Sequence, residues 1–202
     1  MSVNFILKSI YHVVIKRDVL NRFELKKFSS VGNNSIIYKP KYIDRNKKQI
    51  SIGNNTTILN GSRIQTYLNS SGIRGEIRIG NNCYFGYGLS LLGGADIVIE
   101  DGVLMASDIM ISSENHSIDP EINDYYMNQP LHCKPVVIGE GTWIGEKVCV
   151  LPGVKIGKKC VIGAGSVVTK SIPDFSIAVG NPAKIIKKYN FEMHNWEKYK
   201  EE

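Results

Sequence analysis

The chain has 202 residues, 43% of them hydrophobic, which suits one globular domain with a sizeable core. The formal net charge of +6 is lopsided: residues 1–50 hold 11 Lys/Arg against three Asp/Glu, whereas residues 51–202 hold 14 against 16. The basic excess therefore belongs to the front end, and with no nucleic-acid motif beside it the high pI gives no reason to expect a nucleic-acid partner.

Residues 1–28 place Phe5, Ile6, Ile10, Val13, Val14, Val19, Leu20 and Phe23 at roughly helical spacing among lysines and arginines. One or two amphipathic helices are expected there, as a cap over an open end of the domain. The alternative use of that basic surface is peripheral contact with anionic lipid or a lipid-linked glycan. The apolar run at residues 10–15 is interrupted by His12 and is far too short to cross a bilayer. No small-residue cleavage site follows it, so no secretory signal is expected.

From Val31 onward an aliphatic residue returns every six positions. Examples are Ile52-Gly53-Asn54-Asn55-Thr56-Thr57 and Ile79-Gly80-Asn81-Asn82-Cys83-Tyr84. Residues 67–78 fall out of phase and predict a small bulge or turn, and a slip of two residues follows Ile97. The longest uninterrupted run lies at 138–172, from Ile138-Gly139-Glu140-Gly141-Thr142-Trp143 to Val168-Thr169-Lys170-Ser171-Ile172. Neither a helix nor an ordinary strand has this period, but a short strand followed by a turn does. Three such units close a triangular coil of about 18 residues. The aliphatic residue and the small residue four places later point inward. Gly, Asn and Asp supply the unusual backbone angles of the corners. Six or seven stacked coils are predicted. Cys83, Cys149 and Cys160 fall in or beside repeat positions, and with Cys133 they form no CxxC pair. They are expected to be reduced packing thiols of a cytoplasmic protein, with no metal site.

The excursion at 112–135 is polar and rich in Asn, Asp, Pro and Tyr, with no inward aliphatic row. A loop this long inside a regular stack is usually functional. The period ends at Ile172-Pro173. Residues 179–202 are predicted to form a turn and then a helix closing the stack, because charged residues surround Phe191 and Trp196. The expected organisation is a cap at 1–28, a repeat domain at 29–178 and a terminal turn and helix at 179–202.

Three features occur in order: the repeats, the interrupting Glu114-Asn115-His116-Ser117-Ile118-Asp119-Pro120, and the ending Val179-Gly180-Asn181-Pro182-Ala183-Lys184. Together they resemble the hexapeptide-repeat acyltransferases, nearest to the maltose/galactoside acetyltransferase group and the O-acetyltransferases of bacterial surface polysaccharides. The resemblance covers about residues 31–190. It implies an all-β left-handed parallel β-helix, a handedness opposite to the general crossover preference. It also implies a homotrimer with active sites between subunits, acetyl-CoA as co-substrate, and acetyl transfer to a sugar or polysaccharide hydroxyl.

A hydroxyl is a weak nucleophile at neutral pH, so a base must take its proton as it attacks the thioester. Imidazole titrates near pH ~6.5 and can accept and return that proton. His116 matches the family's catalytic His. Glu114, Asp119 or a backbone carbonyl is expected to hold its other ring nitrogen. Trp143, at a turn position of its hexad, is expected to line the acceptor pocket with Asn115, Tyr125, Tyr126 and Met127. A backbone N–H near Trp143-Ile144-Gly145 is expected to stabilise the oxyanion. Gly145, Ala164, Gly165 and Thr169 match the family's CoA-lining positions, and Lys170, Lys184 and Lys187 its basic positions near the phosphates. The family's Ala-Asn-Phe-Asn stretch is replaced by Phe85-Gly86-Tyr87-Gly88, which implies a different acceptor pocket. Competing expectations are an N-acetyltransferase of an amino-sugar nucleotide and a non-catalytic trimeric scaffold. A zinc hydratase on the same fold needs three His ligands, and only His116 and His132 lie in the repeat region.

Overall fold

The computed structural model describes residues 19–20 and 22–199. They form a three-sided prism of short parallel strands. The first face stacks Ser30–Val31, Ile50–Ile52, Ile77–Ile79, Ile97–Ile99, Val136–Ile138 and Lys155–Ile156. The second stacks Ile36–Ile37, Thr57–Ile58, Tyr84–Phe85, Leu104–Met105, Trp143–Ile144, Val161–Ile162 and Ser176–Gly180. The third runs from Tyr42–Ile43 and Arg63–Thr66 through Ser90–Gly93, Met110–Ser112 and Cys149–Val150 to Val167–Val168.

The six-residue pattern becomes rows of side chains along the prism. On the first face Ile52, Ile79, Ile99, Ile138 and Ile156 stack in register. On the second, Ile37, Ile58, Phe85, Met105, Ile144 and Ile162 do the same, and all are buried. Each such side chain stabilises the fold by about 1.5–3 kcal/mol relative to exposure. The small position is also an inward row: Thr56, Cys83, Thr142, Cys160 and Ser176 are buried where the chain turns onto the second face. All four cysteines are free. Burial pushes the Cys83 and Cys160 thiols up, which keeps them protonated and unreactive.

At that same corner Asn34, Asn55 and Asn82 take φ of 60°, 54° and 56°. This left-handed conformation suits Asn better than most side chains. The preceding residue of each pair bonds coil to coil. Asn54 Oδ1 accepts from Asn33 N at 2.8 Å, Asn81 Oδ1 from Asn54 N at 2.8 Å, and Asp101 Oδ1 from Asn81 N at 2.7 Å. The bonds that Asn81 donates from its side chain and backbone hold the Asp101 carboxyl below its ordinary range.

The corners between the first and second faces, and between the second and third, keep nearly uniform length. All large variation in coil length leaves at the edge where the third face turns to the first. Residues 67–75 form a short excursion there, closed by a bridge between Leu68 and Arg74. Residues 113–135 leave by the same edge. Asp44, buried at this edge, accepts from Asn46 N and Thr66 N at 2.8 Å and from Thr66 Oγ1 at 2.7 Å, with Arg74 Nη1 at 3.4 Å.

The two ends differ from expectation in different ways. Of the helices expected over 1–28, Arg22–Leu25 is helical, and residues 1–18 lie outside the described residues. Glu24 in that turn pairs with Lys27 and Lys47, and Leu20, Leu25 and Phe28 pack on the first coil. The C-terminal helix is replaced by two antiparallel strands, Ala183–Asn190 and Asn195–Lys198, which extend the second face. The reason is the free ladder edge that Ser176–Gly180 would otherwise leave. Strand pairing also sets Tyr189 directly opposite Trp196, with ring centroids 5.3 Å apart. Phe191 packs edge-on against both Tyr189 and Phe175.

Candidate active site

The excursion opens as a two-stranded antiparallel ribbon, Glu114–His116 against Leu131–Cys133. Serines anchor its base. Ser113 Oγ donates to Ala95 O at 2.7 Å and accepts from Ala95 N at 3.0 Å. Ser112 Oγ donates to Glu114 O at 2.8 Å, and Lys134 N returns the chain to Ser113 O at 2.9 Å. The ribbon continues past its strands, because Ser117 N bonds Pro130 O at 2.9 Å. His116 is therefore exposed, yet carried on hydrogen-bonded backbone rather than on a free loop.

Side chains alternate along a strand, and residues directly opposite one another share a face. Glu114, His116, Leu131 and Cys133 thus occupy one face of the ribbon, and Asn115 and His132 the other. Glu114 is close enough to Tyr67 and Cys133 to raise both their pKa values. Burial is the larger cause in each case. The Tyr67 hydroxyl in turn accepts from Arg63 Nη2 at 2.9 Å, and Gln65 Oε1 accepts from Arg63 Nε at 3.1 Å and Nη2 at 2.9 Å. A series of polar groups, Arg63, Tyr67 and Glu114, therefore leads from the third face to the ribbon that bears His116. Sequence reading passed over Arg63 and Tyr67. Tyr67 begins the stretch that leaves the six-residue phase, which was the signal available.

Trp143 does not stand in a turn. It is an outward strand residue of the second face, in one row with Tyr84 and Leu104, and all three are exposed. That face lies across the prism from the edge that carries the ribbon, so within one chain Trp143 and His116 do not meet. The expected oxyanion donors are also committed elsewhere: Trp143 N donates to Cys160 O at 2.9 Å and Gly145 N to Ile162 O at 2.8 Å. Tyr125, Tyr126 and Met127 are exposed near the tip of the excursion, around the short 3-10 turn Tyr126–Asn128.

The expected CoA residues divide into two groups. Gly145 stacks on Ala164, where a methyl on Gly145 would fall 2.6 Å from Ala164 N, and the smallness of Gly145 is what lets the coils close. Gly165 has φ of 70° and open space around it. Gly180 N donates to Ser166 Oγ at 3.0 Å, which ties the strand Ser176–Gly180 to the coil of Ala164 and Gly165, and Lys184 lies on the next strand, opposite Val179. Lys187 is exposed farther along that strand. Thr169 and Lys170 are exposed at the edge between the third and first faces, one face away. Among the described residues no group of three or more His, Cys, Asp or Glu is placed to hold a metal ion.

The family model for the bacterial transferase hexapeptide (six repeats) matches residues 135–170. A protein of Escherichia coli K12 named for lipopolysaccharide biosynthesis O-acetyl transfer, WbbJ, is 36% identical over 178 residues, covering 82% of this chain and 85% of its own. Galactoside O-acetyltransferase of the same strain is 38% identical over 115 residues. That match spans 57% of this chain and 55% of the relative, so only about half of that relative's length is shared. A solved galactoside acetyltransferase in complex with coenzyme A superposes with a TM-score of 0.55 at 26% identity, covering 83% of this chain and 68% of that one. The left-handed winding expected from the resemblance agrees with these matches.

Proposed function

Because the chain belongs to the bacterial transferase hexapeptide family, we propose that it is an acetyl-CoA-dependent O-acetyltransferase acting on a sugar hydroxyl of a bacterial surface polysaccharide or its precursor. One observation carries the proposal: the long excursion from the parallel prism opens as an antiparallel ribbon, and that ribbon holds an exposed imidazole with a carboxylate on the same face. In this reading His116 takes the proton of the acceptor hydroxyl as its oxygen attacks the thioester carbonyl. The tetrahedral intermediate collapses, the C–S bond breaks, and the imidazolium returns the proton to the CoA sulfur. Glu114, on the same ribbon face, steadies the imidazolium. The products are an acetyl ester and free CoA.

The working unit in this reading is a homotrimer. Its support is the placement of Trp143 and His116 on opposite sides of one chain, together with the exposed apolar row Tyr84, Leu104 and Trp143, which a second copy would cover. A site completed between copies would bring a His116 ribbon against a neighbour's Trp143. Gly145, Ala164, Gly165 and Lys184 supply a shallow edge along which the pantetheine arm would lie. The coenzyme A complex of the galactoside acetyltransferase supports acetyl-CoA as donor. The reading places the protein in the cytoplasm, where acetyl-CoA is available, with peripheral contact to the membrane through its basic front end.

The test is thiol release from acetyl-CoA against sugars, sugar nucleotides and oligosaccharides, with the mass of each product. A gain of one acetyl group on an ester oxygen, lost in His116→Ala, is expected. Acetyl transfer only to an amine would replace the O-acetyl reading with the N-acetyl one. Full transfer by His116→Ala would remove the base.

A further inference from the structure

The two excursions share one seat, the backbone of Gly93-Gly94-Ala95. The strand that leads into it, Ser90–Gly93, lies between Arg63–Thr66 and Met110–Ser112. From the first side the short excursion rests on the seat. Tyr67 N donates to Gly93 O at 2.8 Å, and a methyl on Gly75 would fall 2.5 Å from Ala95 O. From the second side the long excursion does the same. Ser113 Oγ bonds both polar backbone groups of Ala95, and a methyl on Gly94 would fall 2.6 Å from Glu114 Cβ. Neither glycine puts a side chain between Tyr67 and Glu114.

Arg63 settles which way the Tyr67 hydroxyl turns. Its Nη2 lies 2.9 Å from Tyr67 Oη, and a guanidinium only donates, so Oη accepts there. Gln65 Oε1 fixes the same guanidinium, through Nε at 3.1 Å and Nη2 at 2.9 Å. The hydroxyl keeps its own proton to give, and among the described residues nothing accepts it. Across the seat, the half-buried Glu114 carboxylate accepts no hydrogen bond among the described residues. The nearness of the two groups shows in the Tyr67 phenol. Burial raises it most, Arg63 pulls it down, and the charge of Glu114 pushes it up, with Tyr42 adding a lesser push.

A carboxylate has two oxygens. One that takes the Tyr67 O–H leaves the other for an imidazole N–H, and His116 stands two residues along on the same ribbon face. An imidazole that accepts a proton on one nitrogen needs a fixed partner on the other.

We propose that Tyr67 is a positioning residue: its hydroxyl, turned by Arg63, donates to one oxygen of Glu114, so that the other oxygen is presented to the ring of His116. The role rests on the acetyltransferase reading; the contact beneath it does not.

The contact is tested first, in the full chain and without substrate. The Tyr67 phenol is titrated by NMR of ring-labelled tyrosine, with Tyr67→Phe to assign its signal. Glu114→Gln is expected to lower the pKa and Arg63→Gln to raise it. An unchanged titration in Glu114→Gln overturns the proposal. The role is then tested on an acceptor that the wild-type protein acetylates. Tyr67→Phe and Glu114→Gln are each expected to lower kcat roughly tenfold, with KM for acetyl-CoA unchanged. The double variant is expected to be no slower than the slower single one, because both changes break the same connection. A purely structural Tyr67 would instead slow both backgrounds alike. Losses that multiply, or wild-type kcat in Tyr67→Phe, therefore overturn the role. A shifted titration without acetyl transfer to any acceptor would overturn the enzymatic reading, and the role with it, and leave the contact standing.

Discussion

Gly94 stands directly behind Glu114. A methyl group on Gly94 would fall 2.6 Å from the Glu114 Cβ and 2.6 Å from the Cys133 Sγ, so both strands of the ribbon rest on bare backbone. Gly94→Ala is expected to push the ribbon off the prism, at a cost of about 1–3 kcal/mol. Turnover should fall more than affinity for acetyl-CoA, because His116, the proposed base, moves while the proposed donor edge stays in place. Steady-state kinetics check this. Wild-type kcat in Gly94→Ala would show that the seat of the ribbon has no bearing on catalysis.

Sites completed between copies make a prediction that sites within one chain do not. His116→Ala and Trp143→Ala should each be poorly active. Unfolded together and refolded as mixed oligomers, they should regain activity at roughly a quarter of the sites, where an intact His116 meets an intact Trp143. A mixture no more active than its components would place both residues' roles within single chains.

Asp44 gives the edge a pH dependence. Burial alone would raise its carboxyl, but the bonds from Asn46 and Thr66 and the charge of Arg74 outweigh that and hold it below the ordinary range. A carboxyl lowered in the folded state contributes stability that is present above its unfolded pKa of ~3.9 and lost as pH falls through the folded value. Urea midpoints should therefore drop steeply on acidification below about pH 4. Asp44→Asn should be less stable by about 1–3 kcal/mol at neutral pH and show a shallower drop. Parallel acid profiles for the two proteins would assign the acid sensitivity to other groups.

Ile138 sits between Ile99 and Ile156 in the inward row of the first face, with no exposed surface. Ile138→Ala should cost about 2–5 kcal/mol. In a stack where each coil touches only its neighbours, the loss should not spread evenly. Hydrogen exchange should rise most in the coils from Val136 onward, while the amides around Ile52 and Ile58 stay protected. Uniform acceleration along the chain would show that the stack melts as a single unit.

The prism was legible because its coils repeat the same physical demand. Ile52, Ile79, Ile99, Ile138 and Ile156 recur in sequence since each must fill the same place on the same face. Thr56, Cys83, Val103, Thr142 and Cys160 recur since only a short side chain fits the corner. The excursion was legible as the place where that demand lapses, and His116 as the imidazole it carries. Less could be read where the chain obeys no period. Tyr189 and Trp196 have helical and strand readings that are equally good until the free edge after Ser176–Gly180 is seen. The relation of Tyr67 to Glu114 joins two excursions far apart in sequence, and no local pattern encodes it.

Inserted segments leave the prism by a single edge, while the other two corners stay nearly constant. Lengthening or replacing 113–135 therefore disturbs none of the inward rows. In the proposed reading the scaffold and the recognition surface can change independently, and a foreign tip grafted between Ser117 and Pro130, which leaves His116 and its ribbon in place, should alter which acceptor is chosen without refolding the rest. Specificity in such a molecule is a detachable part.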